Sequence, residues 1–599
     1  MRRMPYLPDL REGSQSRAVV DVFGGYNHNL KIAEGEWYEE NNLTSAHYPM
    51  FSQRKPRALY ATAAGDIQGM IAKDALAWVE GGKLWYNNAI VDGVKLSEDP
   101  EDNPKQLVSM GAYLCIFPDG VWVNTADLTD YGSMAARYSA IDGLTATFTP
   151  CRQSGEEYSD ETIIASDSEP EEPENGDFWL DTSREKHELK QFSSASGMWV
   201  QIPTVYTKIS CDGIGVLFKQ YDGVHISGIK YDIDEGDASL AAQLEELNDT
   251  AVIQSCGDDY IVIIGLLDRQ YIQENAAIVV ERKVPKMQYV CEANNRLWGC
   301  YYGMHEGKMI NEVYACKQGD FRNWNCYMGL STDSYTASIG TDGEFTGCIA
   351  YANNPLFFKE NYIHRLAGSM PANYQMVTTA CRGVQRGSWR SLVVVNEILY
   401  YKSRTDVCAY DGSLPVGVSA QFGTELYHEA VAGAHGGKYY VSMRDGSGIW
   451  HFFVYDTQRN VWHHEDNTRA TGFAAWGDEM FFSVGADVFA ANGTLGKTEG
   501  AVEWSAVSGL IGYELIDHQY ISRFNFRMKL GRGAKCSLAI EYDSDGVWVD
   551  QGTINGYGTD SFVIPVIPQR CDHFRIRLRG EGDIKIYSIA KLIEQGSDA

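Results

Sequence analysis

The side chains most capable of chemistry are few and scattered. The densest group is Trp462-His463-His464-Glu465-Asp466, inside a chain that holds 13 histidines in 599 residues. Imidazoles and carboxylates can bind metal or move protons, but neighbours on a strand point to opposite faces. His463 and His464 would therefore not share one ion, and the group reads as a blade-end turn. Asp543-Ser544-Asp545-Gly546 and Asp232-Ile233-Asp234-Glu235-Gly236-Asp237 offer the oxygen ligands that calcium takes, without the distal bidentate Glu of a full loop. Both read as Asp-rich turns. The stretch Ser442-Met443-Arg444-Asp445-Gly446-Ser447-Gly448-Ile449-Trp450 comes nearest to a sialidase Asp-box, yet its spacing departs from S-x-D-x-G-x-x-W. HExxH, GxSxG, P-loop and strand–helix GxGxxG patterns are absent. The expectation is a chain that is not an enzyme and has no catalytic residues, cofactor or metal site.

Two tryptophans stand out as a candidate glycan platform. In Pro173-Glu174-Asn175-Gly176-Asp177-Phe178-Trp179-Leu180-Asp181-Thr182 a Gly-Asp turn leads into Trp179, and Trp199 closes the unit at Met198-Trp199-Val200. Flat indole faces suit a sugar ring; the plainer reading has both filling a mini-sheet. The most concentrated basic group is Arg54, Lys55 and Arg57, a candidate assembly arm on one reading and a solvated turn on the other.

These residues need a frame, and the frame reads as β. Tyrosine (36) and glycine (59) are abundant, the combination that half-buried strands and tight turns require. Helical periodicity is confined to Ser239–Leu247, with Leu240, Leu244 and Leu247 on one face. Seven loosely similar runs each read as an apolar strand, a Gly or Asn turn and an aromatic strand. They are Ala75–Asn87, Leu107–Asn124, Met287–Tyr302, Phe345–Phe358, Trp389–Tyr410, Val431–His463 and Thr471–Ala491. A spacing of roughly 40–50 residues fits propeller blades, six to eight in number. The acidic stretch Glu156–Asp177 reads as an exposed loop, and Tyr206–Lys286 as an inserted β-domain. From about Glu503 the strands alternate strictly, as in Phe524, Phe526, Met528 and Leu530 against Arg523, Asn525, Arg527 and Lys529, the signature of a sandwich.

The expected fold is mostly β: a propeller-like body, inserted small β-domains and a C-terminal β-sandwich. The boundaries are an extended arm over 1–60, propeller over 61–150, acidic loop and aromatic module over 151–205, inserted domain over 206–286, propeller again over 287–502, and sandwich over 503–599. The arm, Arg3–Arg57, would lie along a neighbouring subunit, so that removing some forty residues leaves a folded but assembly-defective chain.

A formal charge of −29, from 80 acidic and 51 basic side chains, repels phosphate backbones and argues against nucleic-acid binding. The 13 cysteines include no CxxC pair and sit in strand-like runs, reading as reduced thiols of a cytoplasmically assembled protein. No apolar run reaches membrane-spanning length, and the N-terminus lacks a secretory signal.

The P-x-x-G-D-x-W-x-D-T module around Trp179 resembles modules found in phage tail and fibre proteins. The opening FGGYNHNLKIAEGEWYEENNLTSAHYPMFSQRKPR from Phe23 and the ending IPQRCDHFRIRLRGEGDIKIYSIAKLIEQGSDA from Ile567 resemble virion structural proteins of tailed bacteriophages, more distantly the propeller-bearing tail-accessory proteins of phage necks. The resemblance implies a tail, neck or accessory component of the virion, present in several copies as a homo-oligomer and bound to other virion proteins. The alternatives are a tail protein that binds a host surface glycan or receptor and, further off, a propeller glycosidase.

Overall fold

The computed structural model describes residues 15–158, 163–184, 187–202, 204–231, 238–512 and 519–595. The described chain is almost wholly strand, with one α-helix at Ala238–Glu246.

Seven small antiparallel sheets form the body. In chain order their first, innermost strands are Ile67–Lys73 (blade 1), Gln106–Met110 (blade 2), Tyr289–Glu292 (blade 3), Phe345–Tyr351 (blade 4), Val393–Val395 (blade 5), Tyr427–His435 (blade 6) and Gly472–Trp476 (blade 7). Each innermost strand lies against the next, and that of blade 7 against that of blade 1; blades 4 and 5 meet through the 3-10 turn Trp389–Ser391. This closed circuit makes the body a seven-bladed β-propeller. Its last blade is completed by Ala58–Thr62, which pairs with Asp487–Ala490 from the far end of the sequence. All seven repeat-like runs of the sequence fall in these blades, one in each.

The ring has no single core. A separate apolar cluster fills each gap between adjacent blades, for example Leu356, Phe358, Leu399 and Tyr401 between blades 4 and 5, and Tyr440, Phe452, Met480 and Phe482 between blades 6 and 7. The first hairpin of every blade turns through a left-handed residue: Asp74, Gly111, Asn294, Asn353, Asn396, Gly436 and Gly477. Asn and Gly reach that region at little cost. Side chains from one blade then bond the turn of another: Trp476 Nε1 to the Asp74 carbonyl at 3.2 Å, Asn294 Nδ2 to the Asn353 carbonyl at 2.7 Å, and Tyr351 Oη to the Glu397 carbonyl at 2.8 Å.

Between blades 2 and 3 the chain leaves the ring. Ala136–Ser139 and Ala146–Cys151, placed in the propeller by the sequence reading, pair instead with Val279–Arg282 and with Tyr206–Ser210 and Tyr271–Gln273. Two sheets and the helix share one apolar core, with Leu240 and Leu244 at its centre. The aromatic module, Ile163–Ser166 through Met198–Gln201, is a separate four-stranded sheet emerging from this body.

The segment before Ala58 is not an arm laid on a neighbour. Gln15–Val20 and Phe51–Ser52 pair with Ile584–Gln595 in a five-stranded sheet. Gly25–Tyr26 and Glu36–Asn41 join Glu503–Ser508 in a six-stranded one. The two sheets enclose a core of Phe23, Trp37, Phe51, Phe524, Phe526 and Leu578 among others. The C-terminal strands leave an apolar face open, and the N-terminal strands cover it; residues 1–14 lie outside the described part.

Candidate functional site

The most concentrated polar machinery lies where the sandwich meets the outermost strand of blade 6, Val461–Asp466. Contact there is close because Gly25 adopts φ +76° and has no side chain: a Cβ would stand 2.3 Å from the Trp462 carbonyl oxygen. The Tyr26 ring consequently packs on Phe422, Phe453 and His464. Burial, with Tyr427 next, pushes its phenol well above the usual range.

Glu40 anchors both histidines by different atoms. Its carboxylate meets His463 Nδ1 at 2.6 Å, and its backbone carbonyl meets His464 Nδ1 at 2.6 Å. The carbonyl can only accept, so the His464 proton sits on Nδ1 and leaves Nε2 as an acceptor. His451 Nδ1 lies 3.1 Å from that nitrogen, and His451 Nε2 lies 3.1 Å from Asp445 Oδ2. Burial holds the His464 imidazole down to about 4, against the Glu40 carbonyl, which raises it. Burial lifts the Glu40 carboxyl, with His463 opposing. For Asp445, hydrogen bonds from Ser447, His451 and Ile449 outweigh burial and keep the carboxyl low.

Sequence and structure differ here in one respect. The two histidines do face opposite ways, but from a strand rather than a turn, and each meets a different atom of Glu40. The Asp-box-like stretch is a hairpin whose Asp445 Oδ1 accepts from the Ser447 and Ile449 amides at 2.9 Å each. Glu40 and His451 went unnoticed in the sequence; their only signal is strand register, which brings them beside His463 and His464.

The basic group turns inward. Arg54 and Arg57 are each 7% exposed, and only Lys55 faces water. Arg57 donates to Glu465 Oε2 and Asp466 Oδ2 at 2.7 Å each and to Thr468 Oγ1 at 3.1 Å, with its guanidinium 4.8 Å from the Phe452 ring centre. Arg54 donates to Asn42 Oδ1 at 2.7 Å and pairs with Glu499. Burial would depress Arg57, but Glu465 and then Asp466 reverse it and raise its pKa. Asp466 is held low because Arg57 outweighs burial. These arginines clamp the propeller closure to blade 6, and neither reading from the sequence, assembly arm or solvated turn, describes Arg54 and Arg57.

Nor do the tryptophans form a sugar platform. Trp179 is 4% exposed, packs edge-on to Trp199 at 5.6 Å, donates Nε1 to the Ser166 carbonyl at 3.1 Å and lies beneath Lys190 Nζ at 4.5 Å. Trp199 is half-buried beside Phe192. Asp543 Oδ1 accepts from the Asp572 amide at 2.7 Å and Asp545 Oδ1 from the Val547 amide at 2.8 Å, so both act as turn caps. Asp232–Asp237 lie outside the described residues. Among the described residues no group of three or more His, Cys, Asp or Glu is placed to hold a metal, and no helix is long and apolar enough to cross a membrane. All 13 cysteines are free thiols.

No family model matches the chain, and no curated protein does. Among solved structures it is similar to an exo-β-1,3-galactanase from Phanerochaete chrysosporium with galactose (9% identity, 50% of this chain and 94% of that chain, TM-score 0.21). It is also similar to the extracellular domain of a putative hybrid two-component system from B. thetaiotaomicron (9% identity, 91% and 98%, TM-score 0.20). A third is a Trypanosoma rangeli sialidase mutant displaying trans-sialidase activity (9% identity, 65% and 89%, TM-score 0.20). Hydrolases among these neighbours overturn the expectation of a non-enzyme. Propellers carry hydrolytic sites as well as binding faces, so a β-rich pattern is no ground for excluding catalysis.

Proposed function

We propose that the chain is a component of a tailed-bacteriophage particle, in a tail, neck or accessory position, acting through assembly with other virion proteins. One observation carries the reading. The two segments that resemble phage virion proteins, beginning at Phe23 and at Ile567, lie more than five hundred residues apart in sequence yet share one sandwich. Phe51 pairs with Ile586, and Glu503–Ser508 bridges Glu36–Asn41 to Phe574–Glu581. A resemblance at both ends of one folded unit is what a retained module would leave. The particle would be the chain's location after assembly in the bacterial cytoplasm.

Support comes also from the mechanical character of the joint. Buried ion pairs and a histidine relay fix the sandwich on blade 6, giving a rigid two-part body of the kind an assembly needs. The test is mass spectrometry and electron cryomicroscopy of tailed particles induced from the strain that encodes the chain. The chain should be present at a fixed copy number and in direct contact with other virion proteins; its absence from purified particles would remove the proposal.

A further inference from the structure

The solvent face of the five-stranded sheet carries charge that no described residue pairs with. Alternation along Gln519–Leu530 sends Phe524, Phe526, Met528 and Leu530 into the core and Arg523, Arg527 and Lys529 into solvent. Cross-strand register adds two more cations. Arg523 and Arg17 both lie opposite Leu592, and Lys529 lies opposite Lys585, so all five side chains share the outer face. Arg17, Arg523, Arg527 and Lys529 are exposed, and Lys585 is half-buried. The described residues place no carboxylate within ion-pair distance of any of the five. The acidic side chain at the edge of this face, Glu594, is held by Tyr520 Oη at 2.6 Å. Between residues 503 and 599 there are 11 basic and 13 acidic side chains, so nearly all of the −29 resides elsewhere.

The complementary surface belongs to the small aromatic module. The turn joining Ile163–Ser166 to Phe178–Asp181 presents Asp167, Glu169, Glu171, Glu172 and Glu174, all exposed and none within ion-pair distance of a described cation. Two prolines, Pro170 and Pro173, limit how far this turn can rearrange.

We propose that the cationic face of the five-stranded sheet docks the acidic turn 167–174 of a second copy of this chain. Five cations meet five carboxylates, and neither set has an ion-pair partner among the described residues of its own copy. A nucleic acid is the poorer occupant, because the rest of the chain, which carries nearly all of the −29, repels phosphate. Because the two surfaces differ, the contact is head-to-tail, and repetition generates a ring or a filament. The inference concerns self-association and stands whether or not the chain belongs to a phage.

Sedimentation velocity on the full chain tests it. At low ionic strength the wild type should form species larger than a monomer, and these should dissociate at about 0.5 M salt, where screening acts over only a few ångströms. Two variants separate the surfaces: Arg523→Glu with Arg527→Glu and Lys529→Glu, and Glu169→Lys with Glu171→Lys and Glu172→Lys. Each reversal should weaken association roughly tenfold, leaving either variant monomeric by itself. Mixed in equal amounts the two should associate, since the unaltered cationic face of one variant meets the unaltered acidic turn of the other and restores the wild-type contact, while contacts within each variant stay unfavourable. That restored pairing predicts a heterodimer and nothing larger. A chain carrying both sets of reversals keeps two cations against three carboxylates on the face and two carboxylates against three cations on the turn, so it should assemble far more weakly than the wild type. All six side chains are exposed, and circular dichroism checks the fold. A wild type that stays monomeric at low salt, a variant that assembles unaided, or a mixture that stays monomeric would each overturn the proposal; a face serving another polyanion gives the first result.

Discussion

Protonation of His464 should loosen the joint between sandwich and propeller. The ring is buried and donates Nδ1 to the Glu40 carbonyl, so a second proton would place a charge in an apolar surround beside His451 and His28. Burial holds its pKa at about 4, against the ordinary 6.5. An unfolded or undocked His464 binds a proton below pH 6.5 that the docked one refuses. The contribution is therefore complete above pH 6.5, falls by about 1.4 kcal/mol for each pH unit below it, and is exhausted near pH 4. The total is about 3.5 kcal/mol, a roughly three-hundredfold change in the opening equilibrium. Groups facing the ring set the background: His451, His28 and Asp466 by charge, Tyr26 and Phe453 by contact. Hydrogen exchange of peptides covering Glu36–Asn41 and Val461–Asp466, corrected for intrinsic rates and followed from pH 7 to pH 4.5, measures the effect. His464→Asn retains a donor for the Glu40 carbonyl but does not titrate, so its protection should decline less steeply. Parallel decline in wild type and variant would refute the assignment, because His364, whose pKa burial also lowers to about 4, and every other titrating group are common to both.

Arg57→Met leaves Glu465 and Asp466 buried without their cation and should cost about 3–5 kcal/mol, read as a lower melting temperature. Gly25→Ala combines a positive φ with a Cβ 2.3 Å from the Trp462 carbonyl, so it should destabilise by more than about 1 kcal/mol and raise exchange at the joint first. Trp179→Ala removes the buried indole packed on Trp199 and beneath Lys190, on the face opposite Phe178 and Leu180, and should cost that module about 3–5 kcal/mol, seen as protease cleavage between 163 and 202 with the propeller intact. Removing residues 1–41 strips three paired strands, Gln15–Val20, Gly25–Tyr26 and Glu36–Asn41, from the sandwich, and limited proteolysis should then degrade 503–599; a protease-resistant sandwich would contradict the pairing.

The blades were legible because their information is local. ALAWVEGGKLWYNN and FAAWGDEMFFSVGADVFA each hold their own strands and turns, so alternation and turn chemistry suffice. The helix at Ala238–Glu246 was visible for the same reason. What the sequence did not disclose is pairing across long separations. Leu59 with Phe489 and Val19 with Ala590 carry no mark in either segment. The basic run Arg54-Lys55-Arg57 looked solvated because its carboxylates, Glu465, Asp466 and Glu499, lie more than four hundred residues away.

By itself the sequence determined the class: short aromatic strands, turns with left-handed Asn and Gly, and an alternating C-terminal run can bury their apolar faces only in packed sheets. It also determined which faces of the final strands would be wet, since a period of two admits one core side. Tertiary structure alone decided where the N-terminal segment goes, which acids meet Arg57, and that His464 is protonated on Nδ1. Those outcomes depend on closure of the ring and on the open face of the sandwich. Both arise when distant strands meet, and free energy gained at that meeting belongs to neither partner alone.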